Sequence, residues 1–145
     1  MPHPPALLRN LLFQRSAWFE TRVVERARIN GYEHITPAMA RMFGHMSHRP
    51  IGLSELARRL GISRQAVHKC ASDAARHGLV EFLPDPANGR VVRVQYTATG
   101  RDMEALALSD FGGIERELAE RIGSEAVDEL KRLLALDWED GTAGR

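Results

Sequence analysis

Cysteine is all but absent. Cys70 stands alone, so the chain cannot close a disulfide within itself, and nothing in it asks for an oxidising compartment. No apolar run approaches the ~20 residues that a membrane-spanning helix needs. Residues 1–13 lack the basic start and long apolar core of a secretory signal. The expectation is a soluble, cytoplasmic protein with no membrane contact. Lysine is scarce too, two against 18 arginines; a GC-rich coding sequence accounts for that bias, and it carries no functional weight. Catalytic signatures are missing: no Ser/His/Asp set, no paired carboxylates and no glycine-rich phosphate loop stand out, which predicts neither an enzyme nor a cofactor. His45 and His48 form an H-x-x-H pair at a helix end, with His34 nearby in sequence, but a metal site needs three or four ligands. A solvent-facing helix terminus accounts for them. There is no internal repeat.

What is present centres on residues 56–69, which read as a helix, a tight turn and a second helix. Ala57 is small enough for the helices to approach closely, Gly61 can take a positive φ at the end of the first, and Val67 points back into the angle between them. Ser63 is a good N-cap for the second helix. An ordinary helical hairpin would share this spacing, but a helix-turn-helix lays its second helix in the major groove of DNA. The faces of that helix favour the latter. Val67, Cys70, Ala71 and Ala74 form its apolar stripe, and Gln65, His68, Lys69, Ser72 and Arg76 lie opposite, with Asp73 the only acid. Gln and Lys can bond base edges, while Lys and Arg neutralise phosphate.

A hairpin follows directly. His77-Gly78 ends the helix, residues 79–83 read as a strand and residues 90–96 as its partner. The intervening Pro84-Asp85-Pro86-Ala87-Asn88-Gly89 is a stiffened turn. Arg90 sits at the tip and Arg93 projects from the returning strand. This is the pattern of a winged helix, whose wing can place a cation in the minor groove.

The net charge of +1 says little, but its distribution says more. Residues 41–101 carry nine Arg and one Lys against four acids, whereas residues 102–145 carry five cations against twelve acids. A basic middle third that coincides with the winged helix is the footprint of a lobe that attracts nucleic acid. The flanks read as helices: residues 6–28 with Leu8, Leu11, Leu12, Arg15, Trp18, Phe19 and Val23 along one side, then a long helix after Thr97. That long helix carries Met103, Leu106, Ile114, Leu118 and Ile122, and Gly112-Gly113 is expected to weaken or kink it. A last helix capped by Ser124 would present Val127, Leu130, Leu134 and Trp138. Amphipathic helices at both ends of a 145-residue chain suggest a second copy as partner.

The segment from Ile35 to Gly100 resembles the winged-helix core of the MarR family of bacterial transcription regulators. The pieces that carry the resemblance are Thr36-Pro37 opening a helix, Leu53-Ser54-Glu55-Leu56-Ala57, Gly61 to Val67, His77-Gly78-Leu79-Val80, the wing from Asp85 to Arg90, and Tyr96-Thr97-Ala98-Thr99-Gly100. The flanking helices fit as well. The family often has Asp two residues before the wing arginine; here Asn88 precedes Arg90 and cannot ion-pair with it, which predicts a less rigid wing. The alanines at 71, 74 and 75 predict a thin core beside the recognition helix.

The resemblance implies a mainly α winged helix-turn-helix with a small β-hairpin wing and long N- and C-terminal dimerisation helices. Residues 31–100 would form the DNA-binding lobe, 6–30 and 101–139 the dimerisation region, and 1–5 and 140–145 flexible tails. It implies a homodimer on double-stranded DNA. Gln65, His68 and Arg64 would face base edges. Ser63, Lys69 and Arg76 would hold phosphates, with Ser72 on the same face, and Arg90 would enter the minor groove beside Arg93. It also implies a small-molecule effector pocket, for which Trp18, Phe19, Met39, Met42, Phe43 and His45 are candidates. Met39, Met42, Phe43 and Met46 equally follow the spacing of a plain core stripe. Two alternatives stay open: a regulator responsive to metal through His45 and His48 or to redox through Cys70, and a winged helix used for protein contacts.

Overall fold

The computed structural model describes residues 6–139; the expected loose ends, 1–5 and 140–145, lie outside the described residues. The order is α1 (Leu8–Ile29), α2 (Pro37–Gly44), β1 (Ile51–Gly52), α3 (Leu53–Leu60), α4 (Arg64–Arg76), β2 (Val80–Pro84), β3 (Val92–Tyr96), α5 (Ala98–Ile122) and α6 (Ser124–Leu134). This is the mainly α winged helix read from the sequence, with one difference in its sheet. The wing sheet has three antiparallel strands in the order β1-β3-β2, not two. Ile51 and Gly52 pair with Val94 and Arg93 on the far side of β3. Two residues cannot display an alternating pattern, so β1 left no periodic trace.

Local chemistry sets the helix ends. Thr36 caps α2, its hydroxyl accepting from the Met39 N–H at 3.1 Å, with Pro37 in the first turn. Ser63 caps α4 in the same way, accepting from the Ala66 N–H at 3.0 Å. Between α3 and α4, Gly61 takes φ 66°, and the Ile62 N–H returns to the Ala57 carbonyl at 3.2 Å. That return bond closes the last turn of α3 and forces the sharp change of direction.

The described chain divides into two units, one through Asp110 and one from Phe111 on. The first holds the core. Met39 and Met42 of α2, Leu53, Leu56 and Ala57 of α3, and Val67, Ala71 and Ala74 of α4 are buried together with Val80, Val94, Tyr96 and Met103. Ala71 and Ala74 are wholly enclosed, so the alanine-rich side of α4 is a close approach and not a gap. α1 contributes no fully buried residue at all. In the second unit Ile114 and Val127 are buried, and Lys131 pairs with Glu115 at 3.0 Å.

α5 runs as one helix of 25 residues through Gly112-Gly113, over the length that its apolar stripe predicted. Glycine keeps its N–H and makes no clash, so each one costs only about 1 kcal/mol of propensity and weakens the helix without ending it. Two expectations about α6 are corrected. Its N-cap is Gly123 and makes no side-chain hydrogen bond, so Ser124 is the first residue of the helix and not its cap. It ends at Leu134, so Trp138 lies beyond it and its indole N–H donates to the Leu133 carbonyl at 3.1 Å. Among the described residues, no helix is long and apolar enough to cross a membrane.

Candidate nucleic-acid interface

Burying Val67, Ala71 and Ala74 turns the opposite side of α4 outward. Arg64, Gln65, His68, Lys69 and Arg76 are exposed there and Ser72 is half-buried. Ser63, Gln65, Ala66, His68 and Lys69 line a shallow open hollow at the first turn of the helix. Donors and cations therefore gather at one helix N-terminus, where the helix dipole already favours an anion. The only acid of α4, Asp73, is half-buried and ion-paired with Arg76 one turn on, so the negative charge on this face is compensated.

The wing stands beside this face. Asp85 accepts from the Ala87 N–H at 2.8 Å and the Asn88 N–H at 3.3 Å, and its own N–H reaches the Val91 carbonyl at 2.9 Å. Asn88 accepts from the Arg90 N–H at 3.2 Å. These side-chain-to-backbone bonds shape the loop without an ion pair. Arg90 is exposed at the tip. Arg93 does not project freely: it is half-buried, its guanidinium Nη2 lies 3.5 Å from the Pro84 carbonyl, and its Nε is buried without a partner.

Sequence reasoning passed over three features. His68 is stacked on Phe82 of β2, with ring centroids 5.6 Å apart. The signal for Phe82 was its place two residues after Val80, on the same face of the strand. On α3, Glu55 holds two arginines, Arg58 at 2.5 Å and Arg59 at 3.0 Å. Hydrogen bonds from Arg58 and then Arg59 hold the Glu55 carboxyl below the usual range. Glu55, Arg58 and Arg59 sit three and four apart, a spacing that predicts such pairs. The third is the junction at Thr97, whose hydroxyl donates to the Gly78 carbonyl at 2.5 Å and accepts from the Gly100 N–H at 3.0 Å.

The other candidates are dispersed. Met39 and Met42 are enclosed in the core and Phe43 packs against it, so the stripe reading accounts for them. Trp18 lies on α1, edge-on to Phe19 at 4.9 Å and covered by the Arg22 guanidinium at 3.6 Å. His45 is exposed at the end of α2. His48 faces Glu104 at 3.7 Å, and His34 is stacked on His77 at 4.1 Å. Among the described residues, no three of His, Cys, Asp and Glu are grouped so as to hold a metal ion. Cys70 is half-buried. Burial first, then Asp73, pushes its thiol pKa up, against the smaller opposing effect of Arg41.

The MarR family's sequence profile matches residues 35–91. No protein of curated function matches the chain. Among solved structures, apo MarR from Escherichia coli superposes with a TM-score of 0.71 at 20% identity, covering 90% of this chain and 96% of that one. FabT from Streptococcus pneumoniae, solved in complex with DNA, gives a TM-score of 0.65 at 17% identity, covering 87% and 90%. The transcriptional regulator BldR from Sulfolobus solfataricus gives 0.68 at 18%, covering 88% and 92%. Residues 35–91 are thus a MarR-family winged helix, and the chain as a whole has the fold of the MarR-family transcriptional regulators.

Proposed function

We propose that this protein is a soluble, cytoplasmic, homodimeric regulator that binds a pseudo-palindromic duplex in a sequence-specific way and acts as a ligand-responsive repressor. The observation that carries the reading is the exposed face of α4: amide, hydroxyl and cations at a capped helix start, its one acid paired, and a basic wing tip following in the chain. FabT, of like fold, was solved on DNA. Residues 31–100 form the DNA-binding lobe in this proposal. Gln65 and Arg64 meet base edges in the major groove, and Ser63, Lys69, Ser72 and Arg76 hold phosphates. Arg90 enters the minor groove, while Arg93 braces the base of the wing.

Dimerisation belongs to residues 6–30 and 101–139. No residue of α1 is fully buried, and Leu8, Leu12, Phe13, Leu130, Leu134 and Trp138 remain exposed. Such apolar surface on an isolated chain marks an association face. For the effector, an open hollow of about 430 Å³ between α1 and α2 is lined by Ala17, Glu20, Thr21, Val24, Glu25, Arg28 and Pro37. Occupancy there would shift the spacing of the two recognition helices.

The test is selection of duplexes from a random-sequence pool by the wild-type protein and by Gln65→Ala. A Gln-to-adenine bidentate contact discriminates by roughly 1–3 kcal/mol, so the variant is expected to lose preference at one position per half-site and keep the rest. Identical profiles would remove Gln65 from the base readers. A wild-type protein that selects no sequence would refute the proposal.

A further inference from the structure

We infer that His68 and Phe82 form a brace that sets the wing against the recognition helix, so that His68 acts by positioning the wing and not by reading a base. The inference rests on the DNA-binding reading for its consequence, but not for its geometry. The two rings lie 5.6 Å apart at an interplanar angle of 20°, within the range in which aromatic pairs attract beyond their buried area. One belongs to α4 and the other to β2. One turn further along α4, the Ser72 hydroxyl lies 3.5 Å from His68 Nδ1. The imidazole is thus engaged on its face by Phe82 and at one ring nitrogen by its own helix.

Phe82 supplies the second half of the case. Its register partner Val94 is wholly buried, and so is Val80 on its own strand. Phe82 itself stays 37% exposed. A ring that served only the core would be sunk like those neighbours. This one is left at the rim, against the α4 face that carries Gln65 and Lys69. β2 leads directly into the loop that bears Arg90, so the angle between β2 and α4 decides where that cation falls when α4 is docked. The stack is a contact across that angle, made by two side chains outside the core.

The experiment compares His68→Ala, Phe82→Ala, the double variant and His68→Phe with the wild-type chain, in two readouts. The first is amide hydrogen exchange over residues 85–91 in the DNA-free protein. The second is affinity for the duplex that the wild type selects from a random pool. Each alanine variant should speed wing exchange and weaken binding by about two- to tenfold, the scale of coupling between paired rings, and the double variant should be no worse than either. His68→Phe keeps the stack and loses the imidazole nitrogens, so it should stay near wild type in both readouts. Unchanged wing exchange in both alanine variants would overturn the brace. So would binding lost in His68→Phe and retained in Phe82→Ala, which would return His68 to direct contact with DNA. If the wild type selects no duplex, the DNA reading fails, and the exchange measurement decides the brace alone.

Discussion

Replacing Gly100 by alanine measures how tightly α5 is seated on the start of β2. A Cβ at this position would stand 1.9 Å from the Leu79 carbonyl oxygen and 3.0 Å from both the Leu79 carbonyl carbon and Tyr96 Cδ1. The obstacle is backbone, and it is held: the Leu79 carbonyl accepts from the Thr97 N–H at 3.1 Å. It cannot rotate aside as a side chain would, so α5 has to lift. Lifting strains the Thr97 contacts to Gly78 and Gly100. Alanine is better than glycine in a helix by about 1 kcal/mol. Against that stand overpacking, at about 1–3 kcal/mol, and two weakened hydrogen bonds, at about 1 kcal/mol each. The clash wins, and the expected net loss is about 3 kcal/mol. Urea unfolding of the two proteins at equal concentration should show a lower midpoint for Gly100→Ala with an unchanged slope. Equal or greater stability in the variant would show that the start of α5 moves off β2 at little cost, and would refute the argument.

Three further outcomes follow from the same structure. Burial, reinforced by Glu104, pushes the Tyr96 phenol above its ordinary range, and its hydroxyl donates to the Phe43 carbonyl at 3.3 Å. A raised pKa means stability that is complete below the unfolded value of about 10 and lost as pH rises past it, at roughly 1.4 kcal/mol per pH unit. Alkaline titration of unfolding should show that decline in the wild type and a flatter one in Tyr96→Phe. Lys69→Ala should reduce the slope of log affinity against log salt by about 0.9 per phosphate contact while sparing sequence preference; an unchanged slope would take Lys69 out of the phosphate set. A chain ended at Ile122 lacks Val127, Leu130, Leu134 and Trp138 and should sediment as a monomer or aggregate. A well-behaved dimer would place the association face elsewhere.

The winged helix was legible because its constraints are local. Gly61 must take a positive φ, Ser63 must cap, and Val67 must be apolar, and each requirement names a residue type at a fixed offset. β1 was not legible, since two residues carry no period and their partner lies about forty residues away. Within the site, the exposed face of α4 followed from periodicity. Arg93 bending back to Pro84 and His68 lying on Phe82 did not, because both depend on where a neighbouring strand runs. The methionines of α2 show the ambiguity of a stripe: i, i+3, i+4, i+7 spacing marks an inward face without saying whether a cavity or a core lies there.

The acceptors that Asp85 and Asn88 offer to their own backbone give the wing loop its shape before any partner arrives. Much of the freedom that such a loop would otherwise surrender on docking is surrendered when the protein folds. Association then immobilises chiefly the Arg90 side chain, at about 0.5–1.5 kcal/mol for one rotamer-rich group, rather than a whole segment. Asp85 and Asn88 therefore belong to the thermodynamics of encounter through the loop they shape: their loss would appear as a more unfavourable binding entropy, with the contacts of Arg90 in the final complex left the same.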